Sequence, residues 1–205
     1  MTTVSTAGQH GQRDGAPNNG GHSAPLPEEA RSLDWDYAQS AGQAGLYMAI
    51  CELYQRHAGE GSVLDIGCGC GHLYHYLTEH ARMPSHGYTG IDSAADAVRR
   101  AASRFPEAGF GQRDYWRESV GSRFDCVIFN DALQCFADPA AVLAKCTDRN
   151  MHACSLLIVA MAEGSHDAVW HALGKRYIPV DEKTVKNAEG KVWKVRALKL
   201  ARDSG

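Results

Sequence analysis

Residues 63–71 read Val-Leu-Asp-Ile-Gly-Cys-Gly-Cys-Gly, an apolar run holding one carboxylate that opens into three glycines at every second position. Glycines so spaced let the chain turn tightly and let a ligand approach the backbone, and a helix starting behind them offers free N–H groups. The run meets the first half of the dinucleotide fingerprint G-x-G-x-x-G, but residue 72 is His where the third small residue belongs. Asp65 lies two residues before Gly67. Its charge opposes a pyrophosphate and tolerates an ammonium or a sulfonium. A second carboxylate, Asp92, ends the apolar run at Ile91, 21 residues after Gly71. A third, Asp114, precedes Tyr115, and Asn130-Asp131 closes the run Phe-Asp-Cys-Val-Ile-Phe. Cys68, Cys70, His72 and His75 invite a metal reading. Their C-x-C-x-H-x2-H spacing departs from the usual C-x2-4-C pair and no distant second pair exists, so no metal is expected.

Strand–helix alternation positions these residues. Apolar residues at helical spacing (Leu46, Tyr47, Ile50, Leu53, Tyr54) predict a helix over about 40–58. Strands are predicted at 62–66, 88–91, 109–113, 124–129 and 155–160, with helices after the first, second, fourth and fifth. Ser93 with Asp96 three residues on reads as a capping box, and Asp138-Pro139 as an N-cap followed by Pro at the first helical position. Two further β-like runs, 183–187 and 191–201, flank the turn Asn187–Gly190. The expected fold class is α/β: a Rossmann-like three-layer sandwich with a mostly parallel seven-stranded sheet and a C-terminal antiparallel hairpin. Ligands on such sheets sit beyond the carboxyl ends of the strands, near the topological switch point.

The chain has 205 residues, of which 21 are Lys or Arg and 24 are Asp or Glu, giving a net charge of −3. That balance argues against a general nucleic-acid binder, which needs surplus positive charge to neutralise phosphates. No apolar run approaches the roughly 20 residues that span a bilayer, and residues 1–21 lack the apolar core of a secretory signal. Seven Cys, several inside apolar runs, read as buried reduced thiols in a cytoplasmic protein. Residues 1–30 carry almost no large apolar side chains and read as a disordered arm, leaving 31–205 as a single domain. The stretch 175–202 holds nine Lys or Arg against three Asp or Glu, a composition suited to the solvated face of edge strands.

The glycine run resembles motif I of the class I S-adenosylmethionine-dependent methyltransferases, an apolar strand with Asp or Glu followed by G-x-G-x-G. The likeness extends from about residue 35 to 201. It implies S-adenosyl-L-methionine as cofactor, held by Asp65, Gly67, Gly69, Gly71 and Ser93, with Asp92 accepting from both ribose hydroxyls. It implies that Asp114 accepts from the adenine amino group with Tyr115 against the ring. The loop at Asn130 would line the methionyl end and the acceptor pocket. Residues 130–133 lack the N/D-P-P-Y/F pattern of enzymes acting on base or glutamine amines, and 160–163 lack the Asp-Asn pair of magnesium-dependent catechol-type enzymes.

The expected activity is methyl transfer to the nitrogen or oxygen of a small-molecule metabolite, of a kind suited to secondary metabolism. An RNA or protein methyltransferase and a non-catalytic cofactor-binding partner subunit remain open. A general base is needed only if the acceptor arrives protonated. Asp131 and His166 are the leading candidates, with Gln134 and Glu163 beside them. The acceptor site would be roofed by Trp35, Tyr37 and Tyr47, by the loop 130–138, or by a second subunit, in a monomer or a homodimer. No nucleic-acid or membrane partner is expected.

Overall fold

The computed structural model describes residues 33–164 and 166–201, with side chains from residue 42 onward. The arm assigned to 1–30 and the side chains of Trp35 and Tyr37 lie outside the described residues. Among these residues no helix is long and apolar enough to cross a membrane.

Seven strands form one sheet: β1 (Val63–Ile66), β2 (Tyr88–Asp92), β3 (Gly109–Gln112), β4 (Phe124–Asn130), β5 (Met151–Ala162), β6 (Tyr177–Lys186) and β7 (Val192–Leu200). Their order is β3-β2-β1-β4-β5-β7-β6. The first five run parallel, and β7 pairs antiparallel with both β5 and β6. The chain moves outward from β1 through β2 to β3 and then returns to lay β4 on the other side of β1. The switch point therefore falls between the ends of β1 and β4, as expected of a doubly wound sheet. Both strands are apolar on both faces (Val63, Leu64, Ile66; Cys126–Phe129), which suits burial between two helical layers.

One face carries α1 (Leu33–His57) and α2 (His72–Ala81), the other α4 (Pro139–Asn150) and α5 (Asp167–Gly174). The helix α3 (Ala95–Arg104) packs on β2 and β3. The α1 stripe Leu46, Ile50, Leu53 and Tyr54 is fully buried against β5 and β7. Asp138 caps α4 as read from sequence, accepting from the Ala141 amide at 3.0 Å with Pro139 at the first helical position. The capping box at Ser93 and Asp96 does not form. The N-cap of α3 is Ala94 with no side-chain bond, and Asp96 turns outward to Arg99. Asp92 serves that helix instead, its Oδ1 accepting from the Ala94 amide at 2.8 Å.

β6 begins six residues earlier than its apolar alternation suggested, carrying Pro179 next to a register shift between Pro179 and Asp181. Such an irregularity, on an edge strand, is where proline is tolerated. Part of the positive charge of the C-terminal stretch is paired locally. Lys183 pairs with Glu52, Arg196 with Glu182 at 2.5 Å, and Arg176 with Asp148 at 3.7 Å. Asp181 receives both Arg56 (2.5 Å) and His57 (3.0 Å) from the end of α1, which together hold its carboxyl down to about 2. The Asp181 and Lys183 pairs fasten α1 to β6.

Candidate active site

The glycine run turns sharply where β1 ends. Gly67, Gly69 and Gly71 all have positive φ (84°, 54° and 78°). A methyl group at Gly67 would sit 2.6 Å from the Ala132 side chain, so the turn and the loop after β4 can close on each other only without it. Gly69 differs: nothing lies within 4 Å of where its side chain would be, which leaves an open cradle beside the start of α2.

Asp92 wires this turn to the second strand. Its Oδ2 accepts from the Gly69 amide at 3.0 Å while its Oδ1 takes the Ala94 amide. A carboxylate has about four acceptor positions, so each oxygen keeps a lone pair for a ligand. Asp65 is 1% exposed and points to the opposite side of β1 from Leu64 and Ile66. Its Oδ2 accepts from the Tyr88 hydroxyl at 2.6 Å, and its Oδ1 has no hydrogen-bond partner. Burial pushes its carboxyl up to about 7, against the Tyr88 bond that pulls it down and with the Asp92 charge adding to the rise.

Two cavities flank these residues. A larger one of about 630 Å³ lies over β1, β2 and the segment after β3, between Asp92, Ser93, Arg113 and Asp114 on one side and Ala132 and Phe136 on the other. A smaller one of about 280 Å³ lies under α1, among Gln43, Tyr47, Asp65, Cys70, His72 and Asn130. Gly67 and Asp131 border both, so the two form one trough across the switch point.

The structure brings together Asp65, Gly67, Gly69, Asp92, Ser93, Asp114, Asn130 and Asp131. Gly71 stands one step back, as the left-handed N-cap of α2 against the Phe110 ring. Three assignments change. Tyr115 borders the larger cavity but is 3% exposed, packs edge-on against Phe129 and Phe136, and donates to Asn150 Oδ1 at 2.7 Å. It is a core residue, and Lys145 fixes its segment by donating to the carbonyls of Tyr115, Trp116 and Glu118. Asp131 is in place, with both carboxylate oxygens engaged by the protein. Oδ1 accepts from the Ala162 amide at 2.9 Å and Oδ2 from the Trp193 indole at 2.7 Å, which ties the side chain to β5 and β7. His166 lines neither cavity, and its carbonyl takes the Val169 and Trp170 amides at the start of α5.

Asp114 is engaged locally, with Oδ1 on the Trp116 amide at 3.0 Å and Oδ2 3.4 Å from Arg117. Sequence reasoning missed Gln43, whose Oε1 accepts from Tyr47 at 2.6 Å; their four-residue spacing on one helix was the available signal. It also missed Arg113, directly before Asp114. His75 of the metal reading stacks on Phe105. No group of three His, Cys, Asp or Glu converges among the described residues.

The Asp65 carboxyl gives a pH test. Between about 4 and 7 the folded chain holds a proton that the unfolded chain has released, so this group lowers stability as pH rises through that window. Thermal unfolding of the ligand-free protein should show Asp65→Asn gaining relative to wild type from pH 5 to pH 8. A constant difference between the two proteins would refute the buried, unpaired carboxylate.

The trough fits an extended, zwitterionic sulfonium nucleoside. Asp92 would take a ribose diol and the unpartnered Asp65 Oδ1 an ammonium. Residues 64–150 match the family described as a methyltransferase domain. A trans-aconitate 2-methyltransferase from Agrobacterium fabrum is 34% identical over 85 residues, covering 42% of this chain and 32% of that protein. A malonyl-[acyl-carrier protein] O-methyltransferase from Acetivibrio thermocellus is 33% identical over 85 residues, covering 40% and 29%. The chain thus spans about a third of the length of these curated relatives. Among solved structures, N-methyltransferase NodS from Bradyrhizobium japonicum with S-adenosyl-L-homocysteine superposes with TM-score 0.70 at 16% identity, covering 85% of this chain and 96% of that one. A Burkholderia thailandensis 1,6-didemethyltoxoflavin-N1-methyltransferase gives 0.64 at 18% identity, covering 88% and 94%. Residues 64–150 thus carry a methyltransferase-domain sequence match, and the whole fold is that of solved methyltransferases.

Proposed function

We propose that this protein transfers a methyl group from S-adenosyl-L-methionine to a small-molecule acceptor whose nucleophile is already unprotonated, a carboxylate or a neutral nitrogen. When bound, the cofactor supplies a sulfonium methyl activated for attack. The chain's own residues then have three tasks. Asp92 fixes the ribose end, Asp65 balances the cationic end, and Asp114 stands where the adenine amino group is expected. Gln43 and Tyr47 of α1 roof the acceptor side and keep water from the transfer line. Holding two reactants in line can itself supply roughly 7–11 kcal/mol of the barrier in favourable cases.

The observation that carries this reading is the wiring of Asp92 to the glycine turn beside the trough. With Asp131 engaged by the Ala162 and Trp193 donors, the proposal assigns it no proton transfer and takes an acceptor that needs none. Two of the relatives are named for trans-aconitate and for malonyl-[acyl-carrier protein]. Two structural neighbours are named as N-methyltransferases. The test is S-adenosylhomocysteine release over panels of small carboxylic acids, amines and phenols. Turnover is expected with carboxylates or with amines that are neutral at the assay pH, and not with phenols or alkylammonium ions, which must first lose a proton. Turnover only with RNA or protein substrates would overturn the proposal.

A further inference from the structure

The loop that walls both cavities is held from 62 residues away. Asp131 has φ 51°, a left-handed conformation that side chains other than glycine rarely adopt. Its amide donates to the Ala160 carbonyl at 2.9 Å, which starts the turn out of β4. Its carboxylate is then shared between two neighbouring strands. Oδ1 takes the Ala162 amide at the end of β5, with Gln134 Nε2 at 3.4 Å. Oδ2 takes the indole N–H of Trp193 in β7 at 2.7 Å, and Trp193 is 1% exposed. Lys191, at the hairpin end, covers the Trp193 ring at 4.5 Å and lies 3.7 Å from the same oxygen. Charge-assisted bonds of this kind are short and geometrically restrictive. Directly after Asp131, Ala132 abuts Gly67, and Phe136 walls the larger cavity.

We infer that Asp131 is a positioning residue: the Asp131–Trp193 bond is a clasp through which the C-terminal hairpin sets the loop 131–136, and with it the shape of both cavities. A carboxylate is required because both partners are donors. An asparagine can accept from only one of them, since its other atom is itself a donor. An Asp131→Asn variant would therefore lose function through lost positioning, which a pH–rate study alone would misread as a lost base.

The consequence for cofactor affinity rests on the methyl-transfer reading; the clasp does not. The experiment compares full-length wild type, Trp193→Phe, Asp131→Asn and the double variant. In ligand-free protein, hydrogen exchange at the Ala162 and Cys135 amides should quicken at least tenfold in each single variant. The Trp193 indole resonance should shift in Asp131→Asn. S-adenosylhomocysteine affinity should fall roughly five- to twentyfold in each, with the double variant no worse than the poorer single one. The pH–rate profile of Trp193→Phe should keep its wild-type shape. Wild-type exchange and affinity in Trp193→Phe, together with abolished turnover in Asp131→Asn, would overturn the clasp and restore Asp131 as a base. If Trp193→Phe does not fold, Asp131→Asn, which can keep only one of the two bonds at constant volume, takes its place, and unchanged exchange there contradicts the clasp. If wild type itself binds no S-adenosylhomocysteine, the methyl-transfer reading fails and exchange alone decides the clasp.

Discussion

Asp92→Ala is expected to weaken S-adenosylhomocysteine binding by roughly 100-fold or more, since two charge-assisted hydrogen bonds are worth about 1.5–3 kcal/mol each. The carboxylate does two things at once. It offers lone pairs to a diol, and it holds the Gly69 and Ala94 amides that shape the turn and the start of α3. Alanine removes both functions and leaves two amides without their acceptor. Asp92→Asn should fall between the two proteins, because one of its atoms can still accept. Affinity by calorimetry and thermal unfolding of the unliganded protein separate the contributions. A large affinity loss with a small stability loss means the ligand contact dominates. An Asp92→Ala protein that binds within threefold of wild type would place the ribose elsewhere.

The second large effect is expected at Gly67. An alanine there must adopt φ near 84° and place a methyl 2.6 Å from that of Ala132. The conformation costs about 1–3 kcal/mol and the overlap about 1–3 more, against a total stability of about 5–15 kcal/mol. Gly67→Ala should therefore lower the Tm by roughly 5–15 °C. It should also lose most cofactor affinity, because the turn borders both cavities. Adding Ala132→Gly removes the overlap and leaves the strain, so partial recovery is the expected result. Full recovery would show that the backbone conformation costs nothing; no recovery would show that the two methyl groups do not meet. Thermal unfolding of the three variants decides.

The glycine turn and the strand ends around it were legible because their determinants are local. The β1 apolar run, the glycines and the carboxylate at Asp92 sit in short segments whose period and turn chemistry speak for themselves. So did the Asp138-Pro139 helix start. The misreadings share one cause, competition from residues distant in sequence. Ser93 looked like a cap by spacing, but Asp92, needed at the turn, reaches the Ala94 amide first. Tyr115 looked ligand-facing because it follows Asp114, yet Asn150, 35 residues on, draws its hydroxyl into the core. Asp131 looked like a free side chain because its shortest bond is to Trp193, 62 residues on. The first half of β6 carries Pro179 and exposed Ile178 and Val180, so it lacks the alternation that marks a half-buried strand.

Calorimetric titration of the wild-type protein with S-adenosyl-L-methionine, S-adenosyl-L-homocysteine and NADH tests the central claim most directly. Micromolar binding of the first two and none of the third is the result the trough, Asp65 and Asp92 require. Binding of NADH, or of neither sulfur nucleoside, would contradict the assignment of this site to the sulfonium cofactor.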